Sequence, residues 1–303
     1  MDQFRVLVSL TTKDNDFQRE QAAAAERAAA KLGMKIDVIF ADNDAITQSQ
    51  QLLEVIQSRS ASRPDAIVLE PVGTGFPQVA MEAAKASIGW AILNRKPDYL
   101  AEVRRIAGAP VFAVSSDHLE IGRLQGRQFA KLLPEGGQMI YIQGPASSSP
   151  ALQRAQGMAQ TKPANIQVKT LSAQWTEISA HTAGVSFLRL RTSRDSRIDL
   201  VGGQNDLMAL GMRKALKETV ADWSWIPFTG VDGMAETGQR WVREGQLAAT
   251  IVVPTNADTA LEMLHQALMS KTQPPDITFT KPMSLPELDK LVPKNKQTAS
   301  HRA

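Results

Sequence analysis

The amino-acid sequence predicts an α/β protein made of two doubly wound lobes, each built on a parallel sheet. Short apolar runs rich in valine and isoleucine alternate along the chain with amphipathic stretches of helical length. These runs are nearly continuous, as in the strands of a parallel sheet that helices cover on both faces. Ten such runs are too many for one sheet in a chain of this length, and the turn-forming segment 133–138 separates two sets of five.

The predicted strands fall into two sets along the chain, with helices between them. The first set of strands is 5–10, 35–41, 66–71, 90–94 and 111–116, and the second set is 138–144, 165–171, 198–203, 226–231 and 247–253. Asp16 is predicted to cap the first helix, which ends at Gly33. Asp117 and Glu120 resemble a capping box. That box opens a helix that runs to about Leu133.

The composition is that of an ordinary soluble globular protein of two domains. The chain has 303 residues, of which 43% are hydrophobic and 21% charged. The net charge of +3 comes from 34 basic and 31 acidic residues, so the basic excess is thinly spread. The most basic stretch, 189–197, is interpreted as a solvated helix end. Because aromatic residues make up only 5% of the chain, no stacking platform for nucleic acid is expected.

The residue inventory excludes several kinds of site. The chain has no cysteine, which excludes disulfides, thiolate metal sites and a cysteine nucleophile. No histidine pair or carboxylate cluster has metal-ligand spacing, and no cofactor is expected. His181 and His265 lie in helical patterns and are interpreted as surface or core residues. Trp223, Trp225 and Trp241 are interpreted as packing residues.

No targeting segment is expected in this sequence. No apolar run approaches the roughly 20 residues that span a bilayer. The run 4–10 is too short for a signal peptide, so the chain starts almost at its first strand, as a processed or truncated protein would. The polar tail 295–303 is expected to be loose.

Polar residues follow nearly every predicted strand. In doubly wound sheets, ligands bind outside the carboxyl ends of the strands. The residues at those positions are Thr11 to Phe17, Glu70, Asn94, Arg95, Ser116 and Asp117 in the first set, and Gln143, Gly144, Trp175, Asn205 and Asp232 in the second. This mixture of amides, carboxylates, arginines and flat rings suits a polyhydroxylated ligand.

With these residues in place, the chain resembles the periplasmic sugar-binding proteins of the ribose- and galactose-binding type. Their type I fold is shared by the effector domains of lactose-repressor-like regulators. The motifs that carry the resemblance are SLTTKDNDFQRE (9–20), DAIVLEPV (65–72), AILNRK (91–96), VSSDHLEIGRLQGRQFAKLL (114–133), ALQRAQGM (151–158), GGQNDLMALGMRKAL (202–216), TGVDGMAETGQRWVREGQLAAT (229–250) and a return segment near 277–292. No single motif is specific, but all of them in this order are.

The resemblance implies two lobes joined by a three-segment hinge, with the ligand between them. The crossings are placed near 115–117, 252–255 and 280–283. The N-terminal lobe is then 1–115 with 254–281, and the C-terminal lobe is 116–253 with 282–303. Ser116 and Asp117 lie at the first crossing and are candidate ligand-binding residues.

The resemblance also implies ligand-binding residues in the N-terminal lobe. Asn15 and Phe17 lie where the family has a hydrogen-bonding amide and a stacking ring, although Phe17 also fits the buried face of its helix. Asn94 and Arg95 match the family's Asp–Arg pair, with Asn94 in place of the acid.

Four further candidates lie in the C-terminal lobe. By resemblance, Arg154 reaches ring hydroxyls and Trp175 is a stacking aromatic. Asn205 and Asp232 match residues that bind hydroxyls. On this reading Asn205 contacts the ligand, while Asp206 or its neighbour caps the following helix.

Each candidate also has a purely structural explanation. Asp117 and Asn205 can act as helix caps alone, and Asp232 as a turn residue. Arg95 and Arg154 can pair with surface acids, where they would contribute little stability. The functional interpretation rests on the joint placement of polar groups at the same ends of the sheets.

Three departures from the family pattern bear on the ligand. Val253 stands where ribose binders commonly have a glutamine, and Glu177 where they have an arginine. Asn94 removes one carboxylate. The pocket is therefore expected to suit a deoxy, acylated or otherwise less polar ligand better than D-ribose.

The resemblance implies a non-enzymatic, monomeric solute-binding protein outside the cytoplasm. It is expected to capture a monosaccharide or sugar derivative by lobe closure and to deliver it to the membrane permease of an ABC-type uptake system. The alternative is a sensory or regulatory domain that signals to a receptor or kinase. A DNA-binding repressor is disfavoured because only three residues precede Phe4, and an enzyme because no phosphate-binding loop, nucleophile elbow or nucleophile–base motif is evident.

Overall fold

The structure is a computed structural model that describes residues 3–58, 63–73, 76–190, 197–220 and 222–293. The chain divides into two units. Unit 1 is Met1–Ser116 with Pro254–Thr280, and unit 2 is Asp117–Val253 with Lys281–Ala303. Three chain crossings therefore connect the units, at 116–117, 253–254 and 280–281.

Helices and strands alternate through most of both units. Unit 1 begins with β1 (Arg5–Leu10), α1 (Asp16–Leu32), β2 (Lys35–Phe40), α2 (Ala45–Gln57), β3 (Ala66–Leu69), α3 (Pro77–Lys85), β4 (Gly89–Leu93), α4 (Leu100–Ile106) and β5 (Val111–Ser116). Unit 2 contains α5 (His118–Leu132), β6 (Gly137–Gln143), α6 (Ser149–Thr161), β7 (Ile166–Ser172), α7 (Glu177–Arg189), β8 (Leu200–Gly203), α8 (Asp206–Thr219), β9 (Phe228–Thr229), a π-helical turn (Ala235–Gln239), α9 (Arg240–Arg243) and β10 (Thr250–Val252). The chain returns through α10 (Ala257–Ser270) and β11 (Ile277–Thr280) to β12 (Met283–Leu285) and a 3₁₀ turn (Leu288–Lys290).

Unit 1 is built on a six-stranded parallel sheet in the order β11-β5-β4-β3-β1-β2. The sequence predicts five of these strands. The sixth, β11, joins the edge of the sheet beside β5 when the chain returns to this unit. Its sequence, Ile277–Thr280, alternates apolar and polar residues and is only partly buried, so it lacks the continuous apolar run of the other strands.

Unit 2 contains a four-stranded parallel sheet in the order β7-β6-β8-β9. The fifth predicted strand, β10, pairs antiparallel with β12 instead. Single parallel bridges, Thr229 with Ala249 and Asp232 with Val252, connect its segment to that of β9. The predicted α/β class with parallel sheets is confirmed, with this antiparallel pair as an addition.

Each sheet separates two apolar clusters, because successive side chains of a strand face opposite sides. In unit 1, Val6 and Val8 join the cluster of α1 and α10, whereas Leu7 joins that of α2, α3 and α4. In unit 2, Ile140 packs with α7 and α8, and Met139 packs with α5 and α6. With both faces covered, the open positions of each sheet are the loops at its ends.

The helix caps confirm two of the predicted signals and correct a third. Asn15, not Asp16, caps α1, because its Oδ1 accepts hydrogen bonds from the N–H groups of the first turn. Gly33 ends the helix in the left-handed region, at φ 66°. Asp117 caps α5 by accepting from the Glu120 N–H, although the Glu120 carboxylate pairs with arginines of its own helix.

Two sequence interpretations can be compared with the packing. The partly buried tryptophans Trp223, Trp225 and Trp241 pack against the α7–α8 cluster, as predicted. The segment 189–197 lies mostly, and the tail 295–303 wholly, outside the described residues. Among the described helices, none is long and apolar enough to cross a membrane.

Candidate functional site

The described polar residues of unit 1 converge on a buried carboxylate, Glu70, directly after β3. One oxygen accepts a hydrogen bond of 2.8 Å from Nε2 of Gln18, and the other accepts one of 2.9 Å from Nδ2 of Asn94. All three side chains are buried. Asn94 follows β4, the neighbour of β3, and its φ of 65° is one that asparagine tolerates. The predicted Asn94 thus belongs to a network centred on Glu70.

Arg95 lies beside this network. It donates to the carbonyl of Gly73, and its Nε–H is buried without a hydrogen-bond partner among the described residues. Burial lowers the pKa of the Arg95 guanidinium, and the negative charge of Glu70 opposes that effect. No described acid lies within ion-pair distance of Arg95. The structure therefore does not show the ion pair with a surface acid that was the structural explanation for this arginine.

The first loop of unit 1 holds Asn15 and Phe17. Oδ1 of Asn15 accepts from the N–H groups of Phe17 (2.9 Å) and Gln18 (3.3 Å), while its Nδ2 has no partner in the described chain. Phe17 is buried but belongs to neither apolar cluster of unit 1. Its burial agrees with the structural explanation, that it lies on the buried face of α1, and its stacking role stays a prediction.

Ser116 is held within a structural network at the end of β5. Its Oγ accepts from Nδ2 of Asn256 at 3.3 Å, and Thr280 donates to Oδ1 of the same asparagine at 3.1 Å. Gln21 accepts from the backbone N–H of Asn256. These bonds join the ends of the segments that enter and leave unit 1. They favour a structural role for Ser116, as the cap of α5 does for Asp117.

Arg154 is the centre of the polar network of unit 2. It is 5% exposed, and its Nη1 donates to the Gln204 carbonyl and lies 3.8 Å from Oδ1 of Asp232. Its Nε lies 3.4 Å from Nδ1 of His118. The guanidinium carbon is 5.6 Å from the ring centroid of Trp175, within cation–π distance. Because Arg154 is buried, the alternative of a pair with surface acids does not apply.

Close packing of α5 on α6 brings Arg154 to this position. A Cβ at Gly122 of α5 would lie 2.1 Å from the Arg154 carbonyl oxygen. A Cβ at Gly157 of α6 would lie 2.0 Å from the Leu119 carbonyl oxygen. Each helix therefore has a glycine where the other approaches, which sets His118 at the start of α5 beside Arg154.

The Gln204 carbonyl that accepts from Arg154 is itself rigidly held. Nε2 of Gln204 donates to the Ala151 carbonyl (2.8 Å) and to the hydroxyl of Tyr141 (3.1 Å), and its Oε1 accepts from Gly144 N–H (3.0 Å). The Tyr141 hydroxyl donates in turn to Gln125. Burial raises the pKa of Tyr141, so this bracing phenol is neutral. Such a frame holds the guanidinium in place before any ligand arrives.

Asn205 connects a helix cap to the predicted stacking ring. Its Oδ1 accepts from Met208 N–H at 2.8 Å and so caps α8, and its Nδ2 donates to the Trp175 carbonyl at 2.9 Å. The expectation that Asp206 or its neighbour caps this helix while Asn205 is left for the ligand is therefore wrong, because Asn205 is itself the cap. Trp175 has φ 64°, and this hydrogen bond helps to fix its backbone.

Asp206 instead lies buried beneath the turn that carries Asp232. Its carboxylate accepts from the Thr250 hydroxyl (2.6 Å) and from Gly233 N–H (2.8 Å). Burial raises the pKa of Asp206 well above its ordinary value, and the nearby charge of Asp232 adds to this, although Arg154 opposes it. Arg154 thus lies near two carboxyl groups, and the more deeply buried of them, Asp206, is the one whose pKa is raised.

Two glycines make room for Asp206. A Cβ at Gly230 or at Gly238 would lie 2.1 Å from one of its carboxyl oxygens. Its backbone N–H donates to the Val231 carbonyl at 2.7 Å. Asp206 thereby shapes the turn in which Asp232 adopts its unusual φ of 98°.

The structure thus brings together four of the predicted residues, Arg154, Trp175, Asn205 and Asp232, in unit 2, and joins Asn94 to Glu70 beside Arg95 in unit 1. Sequence reasoning missed four of the supporting residues, Gln18, His118, Tyr141 and Gln204, and it noted Glu70 only as a residue at a strand end and Asp206 only as a helix cap. The acid in the apolar run at 66–71 and the polar triplet after β8 were the available signals for Glu70 and Asp206.

Two family departures are also explained locally. Val253 is buried and its N–H donates to the Asp232 carbonyl, while Glu177 pairs with Lys214 on the adjacent helix. The polar cluster of each unit places one arginine near carboxyl and amide groups, and that of unit 2 adds an aromatic ring. Such groups bind hydroxyls and the apolar face of a ring, and within them no nucleophile is set against a base.

Comparison with known proteins identifies the family of this chain. A family model described as a periplasmic binding protein domain matches residues 6–272. A D-apiose import binding protein of Actinobacillus succinogenes is 29% identical over 262 residues, which are 86% of this chain and 80% of that protein. A galactofuranose binding protein of known structure gives a TM-score of 0.81 at 22% identity, covering 95% of this chain and 98% of its own. The fructose binding periplasmic domain of a hybrid two component system gives 0.76 at 23% identity, covering 93% and 90%.

The family model spans most of the chain, and the two parallel sheets agree with the fold of the solved structures. The chain therefore belongs to the periplasmic binding protein family, and the predicted resemblance to its sugar-binding members is confirmed.

Proposed function

We propose that this protein captures a small neutral sugar and delivers it, chemically unchanged, to an ABC-type importer from outside the cytoplasm. The observation that carries the proposal is the buried Arg154, held by Gln204 with Asp232 at 3.8 Å and Trp175 beside it. An arginine fork and a carboxylate bind adjacent hydroxyls, and the ring covers an apolar sugar face.

The charges of the described site favour an uncharged ligand. In unit 1, Arg95 lies beside Glu70, and in unit 2, Arg154 lies beside Asp232, while burial raises the pKa of Asp206 well above its ordinary value and so favours its neutral form. Each half is therefore balanced. A sugar acid or sugar phosphate would bring a further negative charge, whereas Arg95 and Arg154 each already lie beside a carboxylate, and burying an uncompensated charge would be costly.

We further propose that the ligand is held by both lobes, 1–115 with 254–281 and 116–253 with 282–303. The three chain crossings are compatible with a hinge. A ligand that touches both lobes only in the closed form shifts the population toward closure. The proposed contacts are Asn15, Phe17, Asn94, Arg95, Ser116, Asp117, Arg154, Trp175, Asn205 and Asp232.

The second candidate is a sensory domain, because one solved structure of this fold is the fructose binding domain of a two component system. The same closed form would then be recognised by a receptor or kinase instead of a permease. Both functions share the sugar site, and they differ in the partner. Co-purification with a permease or with a sensor kinase separates them.

A thermal-shift panel tests the sugar proposal. The panel comprises D-apiose, D-ribose, D-allose, D-galactose, D-fructose and myo-inositol, with D-galacturonate as the charged comparison. A neutral sugar at about 100 times its Kd adds about 2.7 kcal/mol, which raises the Tm by about 4 °C. If no neutral sugar shifts the Tm while D-galacturonate does, the proposed ligand class is wrong, and no shift at all contradicts the sugar proposal.

The variant Asp232→Asn locates the effect in the described site. It keeps the shape of the side chain and removes the carboxylate beside Arg154, so the sugar-induced shift should largely disappear while the protein without sugar stays folded. Asp98→Asn, the same change on an exposed residue, should shift as the wild type does. Equal shifts in all three proteins would place the ligand elsewhere.

A further inference from the structure

Glu70 is a buried carboxylate, and the sugar-binding proposal does not by itself explain why an acid lies at this position. It is 4% exposed, and both of its oxygens accept hydrogen bonds from amide groups. It is the only acid in the network of described residues that surrounds Asn94. A buried carboxylate without a paired cation at hydrogen-bond distance is costly, so its retention calls for a role.

The donors around Glu70 match a carboxylate and nothing else of that size. Gln18 and Asn94 both point an NH₂ group at it, so the residue at position 70 must offer two acceptors. A glutamine there has one acceptor and one donor, so one N–H would face another N–H unless the Asn94 amide turned over and exchanged the positions of its Nδ2 and Oδ1. The carboxylate also fixes the Asn94 amide with Nδ2 toward position 70 and Oδ1 away from it.

The charge of Glu70 also acts on Arg95. Arg95 is half-buried, its guanidinium donates to the Gly73 carbonyl, and its buried Nε–H has no hydrogen-bond partner among the described residues. Glu70 is the acid whose charge stabilises the Arg95 cation in these surroundings. If the negative charge were carried by residue 94 instead of residue 70, a carboxylate would still lie near Arg95 and compensate its positive charge.

We propose that Glu70 is the positioning carboxylate of unit 1: it fixes the Asn94 amide, neutralises Arg95, and thereby prepares both residues to bind an uncharged sugar. This inference rests on the proposed function for its ligand, but the pairing itself does not. The acid and the amide are exchangeable as a pair. Glu70→Gln combined with Asn94→Asp would satisfy every donor, because the new amide oxygen at position 70 accepts from Gln18 while the new NH₂ group there donates to the carboxylate at position 94.

The test is a double-mutant cycle of Glu70→Gln and Asn94→Asp, read by thermal unfolding without ligand. Asn94→Asp alone places two carboxylates about 3 Å apart, which cannot both ionise, and should lower the Tm by about 4 °C or more. Glu70→Gln added to it should restore most of the lost Tm. Glu54→Gln, an exposed acid of the same unit, added to Asn94→Asp should restore nothing. An additive cycle, with no rescue, would overturn the inference.

The four proteins of the cycle are then titrated with the neutral sugar that shifts the wild type most in the panel. Glu70→Gln alone should weaken binding by about tenfold or more, since it unfixes Asn94 and leaves Arg95 uncompensated. The exchanged pair should bind more tightly than either single variant. Unchanged affinity in Glu70→Gln would also refute the positioning role. If no panel sugar binds the wild type, the proposed function fails, and the thermal cycle alone decides the pairing of Glu70 with Asn94.

Discussion

The substitution Gly144→Ala tests whether the stacking ring of unit 2 has a fixed place. A Cβ at position 144 would lie 2.2 Å from Cζ2 of Trp175 and 2.5 Å from two further ring atoms. Carbon atoms in contact are normally about 3.5–4.0 Å apart, so the ring or the loop must move by more than about 1 Å. The ring cannot move freely, because the Trp175 carbonyl is bonded to Asn205 and Arg154 lies beside the ring.

The expected cost is that of overpacking, about 1–3 kcal/mol of the free energy of unfolding. Sugar affinity should fall by about tenfold or more, because a displaced ring loses its contact with the ligand. Urea unfolding and calorimetric titration measure the two effects. Gly108→Ala is the matched control, since its Cβ would meet a single atom at 3.8 Å. Wild-type stability and affinity in Gly144→Ala would refute the assigned position of the Trp175 ring.

Two further substitutions address the acid beneath the site and the first loop. Asp206 keeps its proton in the folded state at pH values where the unfolded chain, with a pKa near 3.8, has released it. The stability that this bound proton contributes is therefore complete below that pH and is lost as the pH rises toward the folded pKa. Asp206→Asn should flatten the pH dependence of the free energy of unfolding, measured by urea unfolding above pH 4. An unchanged pH dependence would contradict the raised pKa of Asp206. Asn15→Asp retains the cap of α1 but removes the Nδ2 donor, so the Tm should change little while sugar affinity falls by about tenfold, and unchanged affinity would remove Asn15 from the site.

Local sequence predicted the strands that are buried on both faces, because such strands are continuous apolar runs. The runs at 66–71 and 111–116 are apolar through most of their length because helices cover both sides of the unit 1 sheet. The edge strand β11 has no such run, and its pairing with β5 joins residues more than 160 positions apart. Only the return of the chain, inferred from family resemblance, indicated that segment.

The residues of the candidate site also differ in whether local sequence could predict them. Positions at strand ends are local, so the sequence located Arg95, Trp175 and Asp232. Which of several polar neighbours becomes buried depends on partners distant in the chain. Glu70 accepts from a glutamine 52 residues before it, and Asp206 accepts from a threonine 44 residues after it. No local pattern distinguishes such an acid from an exposed one.

The structural and functional explanations of the asparagines are not alternatives, because a helix cap uses only half of an amide. In Asn15 and Asn205 the oxygen caps a helix, while the nitrogen still carries two donors. Asn205 uses one of these to hold Trp175, and Asn15 has both available among the described residues. An aspartate such as Asp117 caps equally well but has no donor to offer. At the carboxyl ends of these sheets, asparagine can therefore cap the helix and still offer a donor to a hydroxyl oxygen with the same side chain, which an ionised aspartate, lacking a donor, cannot do.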